Sequence, residues 1–107
     1  MTFSQAWKSA FENRDKQALN QLIGDEFRYI RHQSGKDLSK SDIVEIWSSA
    51  GPRPVRCDYR VIYENEDVLV THQFMNFPSG AKESVMVVML LKDGKLIRME
   101  TGATPLS

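Results

Sequence analysis

A single cysteine, Cys57, among 107 residues leaves the fold without an internal disulfide and without a Cys-rich zinc site. As a lone thiol it is predicted to act as a small buried hydrophobe rather than a nucleophile. The two histidines, His32 and His72, fall on different predicted strands with no third ligand in view, so no metal site is expected. Net charge is missing as well. Fourteen basic residues balance fourteen acidic ones, and no dense Lys/Arg run argues for nucleic acid or an anionic membrane as a partner. No apolar run reaches transmembrane length. The amino terminus, MTFSQAWKSAFENRDK, lacks the continuous apolar stretch of a signal peptide, which predicts a cytoplasmic protein. Internal repeats and low-complexity tracts are absent.

What is present is an ordinary globular composition, 41% apolar and 26% charged, in a chain long enough to bury about two-thirds of its unfolded surface as one domain. Residues 1–107 are therefore predicted to form a single domain. Its organising stretch runs from Asp67 to Thr104 and reads as three successive strands joined by two short turns. Asp93-Gly94 between apolar runs is a type I′ hairpin signal that pairs Lys92 with Lys95. Phe77-Pro78-Ser79-Gly80 predicts a type I turn with Gly80 in the left-handed bulge position, which pairs Phe77 with Ala81.

Counting inward from these turns assigns each side chain to a face. One face carries Val70, His72, Phe74, Ser84, Met86, Val88, Leu90, Ile97, Met99 and Thr101. The other carries Leu69, Thr71, Gln73, Met75, Val85, Val87, Met89, Leu91, Leu96, Arg98 and Glu100. Both are too apolar for a sheet wetted on one side. The first is expected to lie under the protein's own helices and the second to be covered, in part, by another copy of the chain.

Upstream, Phe3, Trp7, Ala10 and Phe11 form a helical stripe behind Thr2 as N-cap. Asp15 caps a second short helix whose Ala18, Leu19, Leu22 and Ile23 face inward, with Gly24 as its left-handed stop. Glu26 to Gln33 alternates as a strand and ends at Ser34-Gly35. Ser39 and Asp42 approximate a capping box, with Leu38 and Ile43 at the hydrophobic-staple positions. A helix over 40–50 follows, its inward stripe being Ile43, Ile46 and Trp47, and Gly51-Pro52 ends it. Arg56 to Tyr63 alternates as a further strand. A two-residue loop at Asn65-Glu66 would pair Glu64 with Asp67 and set Tyr59 opposite His72 and Cys57 opposite Phe74.

Helix, helix, strand, helix and then a four-strand antiparallel meander describe an α+β domain with its helices on one side of a curved, mainly antiparallel sheet. The segments AFENRDKQALNQLIGDEFRYIRHQSG, LSKSDIVEIW and LLKDGKLIRMETGA, in that order, resemble the nuclear transport factor 2-like superfamily in its SnoaL-like branch. The resemblance spans nearly the whole chain. It implies a cone-shaped half-barrel of cystatin-like architecture, with three N-terminal helices packed on the sheet and a pocket at the wide end. Its members include ketosteroid isomerases, polyketide cyclases, dehydratases and binding or association modules without chemistry, so the fold alone does not deliver a function.

Ketosteroid isomerases use an aspartate base, with a tyrosine and a protonated aspartate as oxyanion donors. Alignment puts their base position near Arg31 or His32, their acidic donor on Met86 and their tyrosine near Trp7 or Lys8. All three roles are missing from this sequence. The expected pocket comprises Tyr29, Trp47, Cys57, Tyr59, His72 and Phe74, with Ser84, Met86, Val88, Met99 and Thr101. His72 as base and Tyr59 as donor form the candidate catalytic pair, and a pocket-wall histidine bonded to Tyr59 is the plainer reading. The unbranched Met side chains suit a permissive apolar cavity as well as ordinary core filling.

The preferred expectation is a homodimeric protein that binds a small, mostly apolar molecule without a cofactor. The alternatives are an acid-base isomerase, cyclase or dehydratase acting on a small carbonyl compound, and a protein-association module without a ligand.

Overall fold

The structure, a computed structural model, describes residues 2–106. Three helices, α1 (Phe3–Glu12), α2 (Lys16–Leu22) and α3 (Lys40–Ser48), accompany six strands. These are β1 (Ile23–Arg31), β2 (Lys36–Ser39), β3 (Val55–Glu64), β4 (Val68–Asn76), β5 (Lys82–Lys92) and β6 (Lys95–Leu106). One sheet holds all six in the order β2-β1-β6-β5-β4-β3. Every neighbouring pair is antiparallel except β1 and β6, which run parallel. The chain thus has the α+β architecture expected of it, with β2 as a strand the alternation did not reveal.

The helix starts follow their capping chemistry. Thr2 and Gln5 form a reciprocal capping box on α1, and Ser39 and Asp42 form one on α3. Each satisfies two backbone donors that the first helical turn leaves free. The α1 start also receives a charge from the sheet. The Ser4 amide and hydroxyl donate to the two Glu64 carboxylate oxygens at 3.0 and 2.8 Å, which places an anion at the positive end of the helix and ties α1 to β3. Gly24 does not stop α2. Ile23 takes the cap position in extended conformation, and Gly24 lies in β1, where an added Cβ would stand 2.5 Å from Glu26 Oε1 and 3.4 Å from the Leu96 carbonyl.

Both principal turns form as their residues dictate. Asp93 and Gly94 adopt φ of 53° and 77°, and Lys92 pairs with Lys95. Gly80 has φ 91°, and the Phe77 amide donates to the Ala81 carbonyl at 2.9 Å. The β4–β5 register therefore matches the count inward from the turn, with Gln73 opposite Val85 and Phe74 opposite Ser84.

The enclosed face is the opposite one. Leu69, Val85, Val87, Met89, Leu91 and Leu96 are all at most 7% exposed and pack with Trp7, Leu19, Phe27 and Ile43 in the core. Met86 and Val88 are 43% and 37% exposed. The residues expected to meet a second copy are thus covered by the chain's own helices, while Met86 and Val88 stand on the convex side. Four irregularities separate the observed faces from the counted ones. In β6 the pairing jumps from Leu91–Leu96 to Leu90–Arg98, so Ile97 is an extra residue and Met99 and Thr101 turn to the concave side. In β3 the register shifts twice, between Cys57 and Arg60, where Asp58 takes φ 53°, and between Val61 and Tyr63. The hairpin before β4 is wider than two residues. Asn65 Oδ1 accepts from the Asp67 and Val68 amides, both at 2.8 Å, and Glu64 pairs with Leu69 instead of Asp67.

In α3 the inward position next to Ile43 belongs to Val44, 4% exposed, whereas Ile46 is 55% exposed at the rim. No helix among the described residues is long and apolar enough to cross a membrane.

Candidate functional site

The helices do not fill the concavity they cover. Between α1, α3 and the sheet lies a cavity of about 470 Å³, within the range of about 300–1,000 Å³ usual for small-molecule sites. Its floor is the concave face of the central strands, with Val85, Val87 and Met89 on β5, Met75 and Gln73 on β4, and Met99 and Thr101 on β6. Its roof is aromatic. Trp47 from α3 meets Trp7 and Phe11 from α1 edge-on at 5.5 and 5.4 Å, and Tyr29 from β1 at 5.8 Å. Aromatic pairs in such geometries stabilise by about 0.5–1.5 kcal/mol each beyond area burial, so the roof presents a mutually packed apolar surface.

The polar groups lie along two walls. On one, the Tyr29 hydroxyl and Thr101 Oγ1 are 3.2 Å apart, and Thr101 donates to Gln33 Oε1 at 3.3 Å. With that donation assigned, Tyr29 is the donor to Thr101. On the other wall and at the mouth stand Arg14, Arg53 and Arg56, while Arg31 lines the cavity from β1. Arg14 occupies the left-handed region at φ 52°, a conformation costly for a residue with a Cβ. There it donates to the Ser49 and Gly51 carbonyls and secures residues 49–51 of the cavity wall. Arg53 donates to the Phe11 and Glu12 carbonyls at 2.9 and 3.3 Å. Arg56 donates to Gln73 Oε1 at 3.3 Å and lies 3.6 Å from the Glu12 carboxylate. Burial lowers the pKa of both Arg53 and Arg56, and the neighbouring Arg14 and Arg56 charges lower Arg53 further.

Of the residues expected to form the site, Tyr29, Trp47, Met99 and Thr101 line the cavity. Cys57, His72, Phe74, Ser84, Met86 and Val88 share the other face of the sheet. His72 lies there beneath its neighbours, 8% exposed, with Nε2 2.8 Å from Ser84 Oγ and its ring edge-on to Phe74 at 4.9 Å. Its cross-strand partner is Arg60, because the Asp58 bulge moves Tyr59 out of that position. Tyr59 instead packs with Arg56, 4.6 Å from its ring centroid, and with Lys8 at 5.9 Å. Burial, partly offset by Arg56, raises its phenol pKa. His72 and Tyr59 therefore do not meet. His32 is also outside the cavity, bonded to Glu100 at 2.7 Å. No group of side chains suited to hold a metal occurs among the described residues.

The arginines at the mouth escaped the sequence reading. Arg53 stands between Pro52 and Pro54 after α3, in a run whose prolines marked only a helix end. The chain positions that bring Arg14 beside it are distant in sequence.

These features define the chain as an α+β cone with a lined, unfilled cavity. At the level of sequence, no family model and no curated protein matches it. By structure it is similar to a nuclear transport factor 2-like protein of unknown function from Burkholderia xenovorans, with 14% identity, a TM-score of 0.72, and coverage of 98% of this chain and 84% of that one. A putative ketosteroid isomerase from Kribbella flavida aligns at 11% identity and TM-score 0.70, over 98% and 79% of the two chains. A Catenulispora acidiphila protein with a ketosteroid isomerase-like fold, in complex with trimethylamine, aligns at 13% and 0.66, over 95% and 86%. The chain has the nuclear transport factor 2-like fold.

Proposed function

We propose that this protein binds a small, mostly apolar molecule in the cone, as a SnoaL-like binding protein rather than an enzyme. The observation that carries the reading is the cavity of about 470 Å³ under the Trp7–Trp47–Phe11–Tyr29 roof. A cone serving only as a scaffold for protein association would gain stability by filling that space with side chains. Against catalysis stands the separation of His72 from Tyr59 by the thickness of the sheet, and a cavity lining without histidine among the described residues. The Catenulispora relative shows the same fold with a small molecule bound.

The test is titration with N-phenyl-1-naphthylamine, a neutral apolar fluorophore. The wild-type protein is expected to bind one equivalent, and Val87→Phe, which fills the floor, should weaken binding at least about tenfold. Equal binding by the variant, or none by the wild type, contradicts the reading.

The convex face supports a homodimer as part of the same proposal. Exposed Met86 and Val88 alternate on β5 beside half-buried Val70, Phe74 and Leu90, an apolar surface suited to a self-complementary two-fold contact. Val88→Asp should then give monomer in light scattering. A wild-type protein that is monomeric at high concentration refutes this.

A further inference from the structure

We propose, resting on the reading of the cone as a ligand site, that its ligand carries a carboxylate held between the guanidinium groups of Arg53 and Arg56. The chain as a whole has no net charge, yet four arginines line this one cavity: Arg14, Arg31, Arg53 and Arg56. Two carboxylates stand near them, Glu83 in the lining and Glu12 beside Arg56. Glu12 is shared with Lys8 at 3.9 Å. Glu83 forms no ion pair within 4 Å among the described residues. It lies two strands from Arg56, with Met75 between them in the register, a span of about 10 Å. Positive charge is therefore gathered at the cavity and left in excess.

Its arrangement calls for a shared anion. Arg53 and Arg56 stand 4.4 and 4.8 Å from the centroid of the same Phe11 ring. Cation–π attraction offsets part of their mutual repulsion, but the acceptors supplied to Arg53 are neutral carbonyls. Arg53 Nη1 and Arg31 Nε are buried and have no acceptor among the described residues. Buried donors rarely remain unpaired, and a guanidinium is shaped to meet a planar carboxylate through two parallel N–H bonds. The rest of the lining, with Trp47, Met75, Val87 and Met89, requires the body of the same molecule to be apolar. An amine, such as the trimethylamine of the Catenulispora complex, would meet repulsion here.

Displacement of bound N-phenyl-1-naphthylamine by decanoate, decanol and decylamine tests the head group separately from the cavity. Decanoate should displace the fluorophore at a concentration at least about tenfold below decanol, with decylamine the weakest, as expected for a charge-assisted hydrogen bond. Raising the salt concentration should narrow the gap without affecting decanol. Arg53→Gln and Arg56→Gln should each abolish the preference for decanoate while the neutral fluorophore still binds. Arg28→Gln, which alters a surface pair with Asp37, should retain that preference. If either cavity variant fails to fold, the other variant and the salt series decide. Equal displacement by decanoate and decanol, with the fluorophore bound, overturns the carboxylate and leaves the cavity reading intact. A wild-type protein that does not bind the fluorophore overturns the cavity reading itself.

Discussion

Trp47→Ala removes the side chain at the centre of the aromatic roof. Trp47 makes three aromatic contacts, to Trp7, Phe11 and Tyr29, each worth about 0.5–1.5 kcal/mol beyond the area it buries. A fully enclosed tryptophan would lose about 3–5 kcal/mol on truncation. Trp47 is only partly buried and already borders open cavity, so the loss should fall near the lower end, about 3 kcal/mol. For a domain of this size that lowers Tm by about 12 °C or more. Urea melts of wild type and variant at matched slope measure the difference. A loss below about 1 kcal/mol would mean that α3 does not seat this ring against α1, and the roof as described would be wrong.

Three further outcomes follow from single groups. Ser39→Ala removes the α3 cap and should cost about 1 kcal/mol, clearly less than Trp47→Ala in the same melts. The Ser39 amide and hydroxyl hold the Asp42 carboxyl below its ordinary pKa. A carboxylate whose folded pKa is depressed stabilises the fold above its unfolded pKa and loses that contribution as pH falls through the folded one. Asp42→Asn should therefore reduce the decline in stability below about pH 4, and an unchanged acid limb in pH-dependent melts would refute the role of the capping box. His72→Gln should leave fluorophore affinity in the cone unchanged, because His72 bonds to Ser84 on the opposite face; an about tenfold loss would place it in the site.

Local chemistry made much of the fold legible. Asp93-Gly94 and Phe77 to Gly80 announce their turns because few residues accept those φ values, and the Ser39–Asp42 capping box announces itself by spacing. At α1, by contrast, the sequence pointed to Thr2 as a cap without its Gln5 partner. The choice of enclosed face was harder, since Val85, Val87, Met89 and Leu91 alternate with the equally apolar Met86, Val88 and Leu90. Hydrophobic alternation specifies a register only when one face is polar. The Asp58 and Ile97 bulges then moved Tyr59, Met99 and Thr101 across the sheet without interrupting any pattern in the sequence. The β1–β6 pairing and the meeting of Arg14, Arg53 and Arg56 depend on contacts between distant segments, so no local spacing encodes them.

The methionines distinguish a ligand site on the concave face from one on the convex face. Met75, Met89 and Met99 line the cavity, whereas Met86 is exposed on the convex side. Methyl NMR of methionine-labelled protein titrated with decanoate should shift Met75, Met89 and Met99 while Met86 stays in place. Movement of Met86 alone, with the other three still, would place the ligand on the convex side instead.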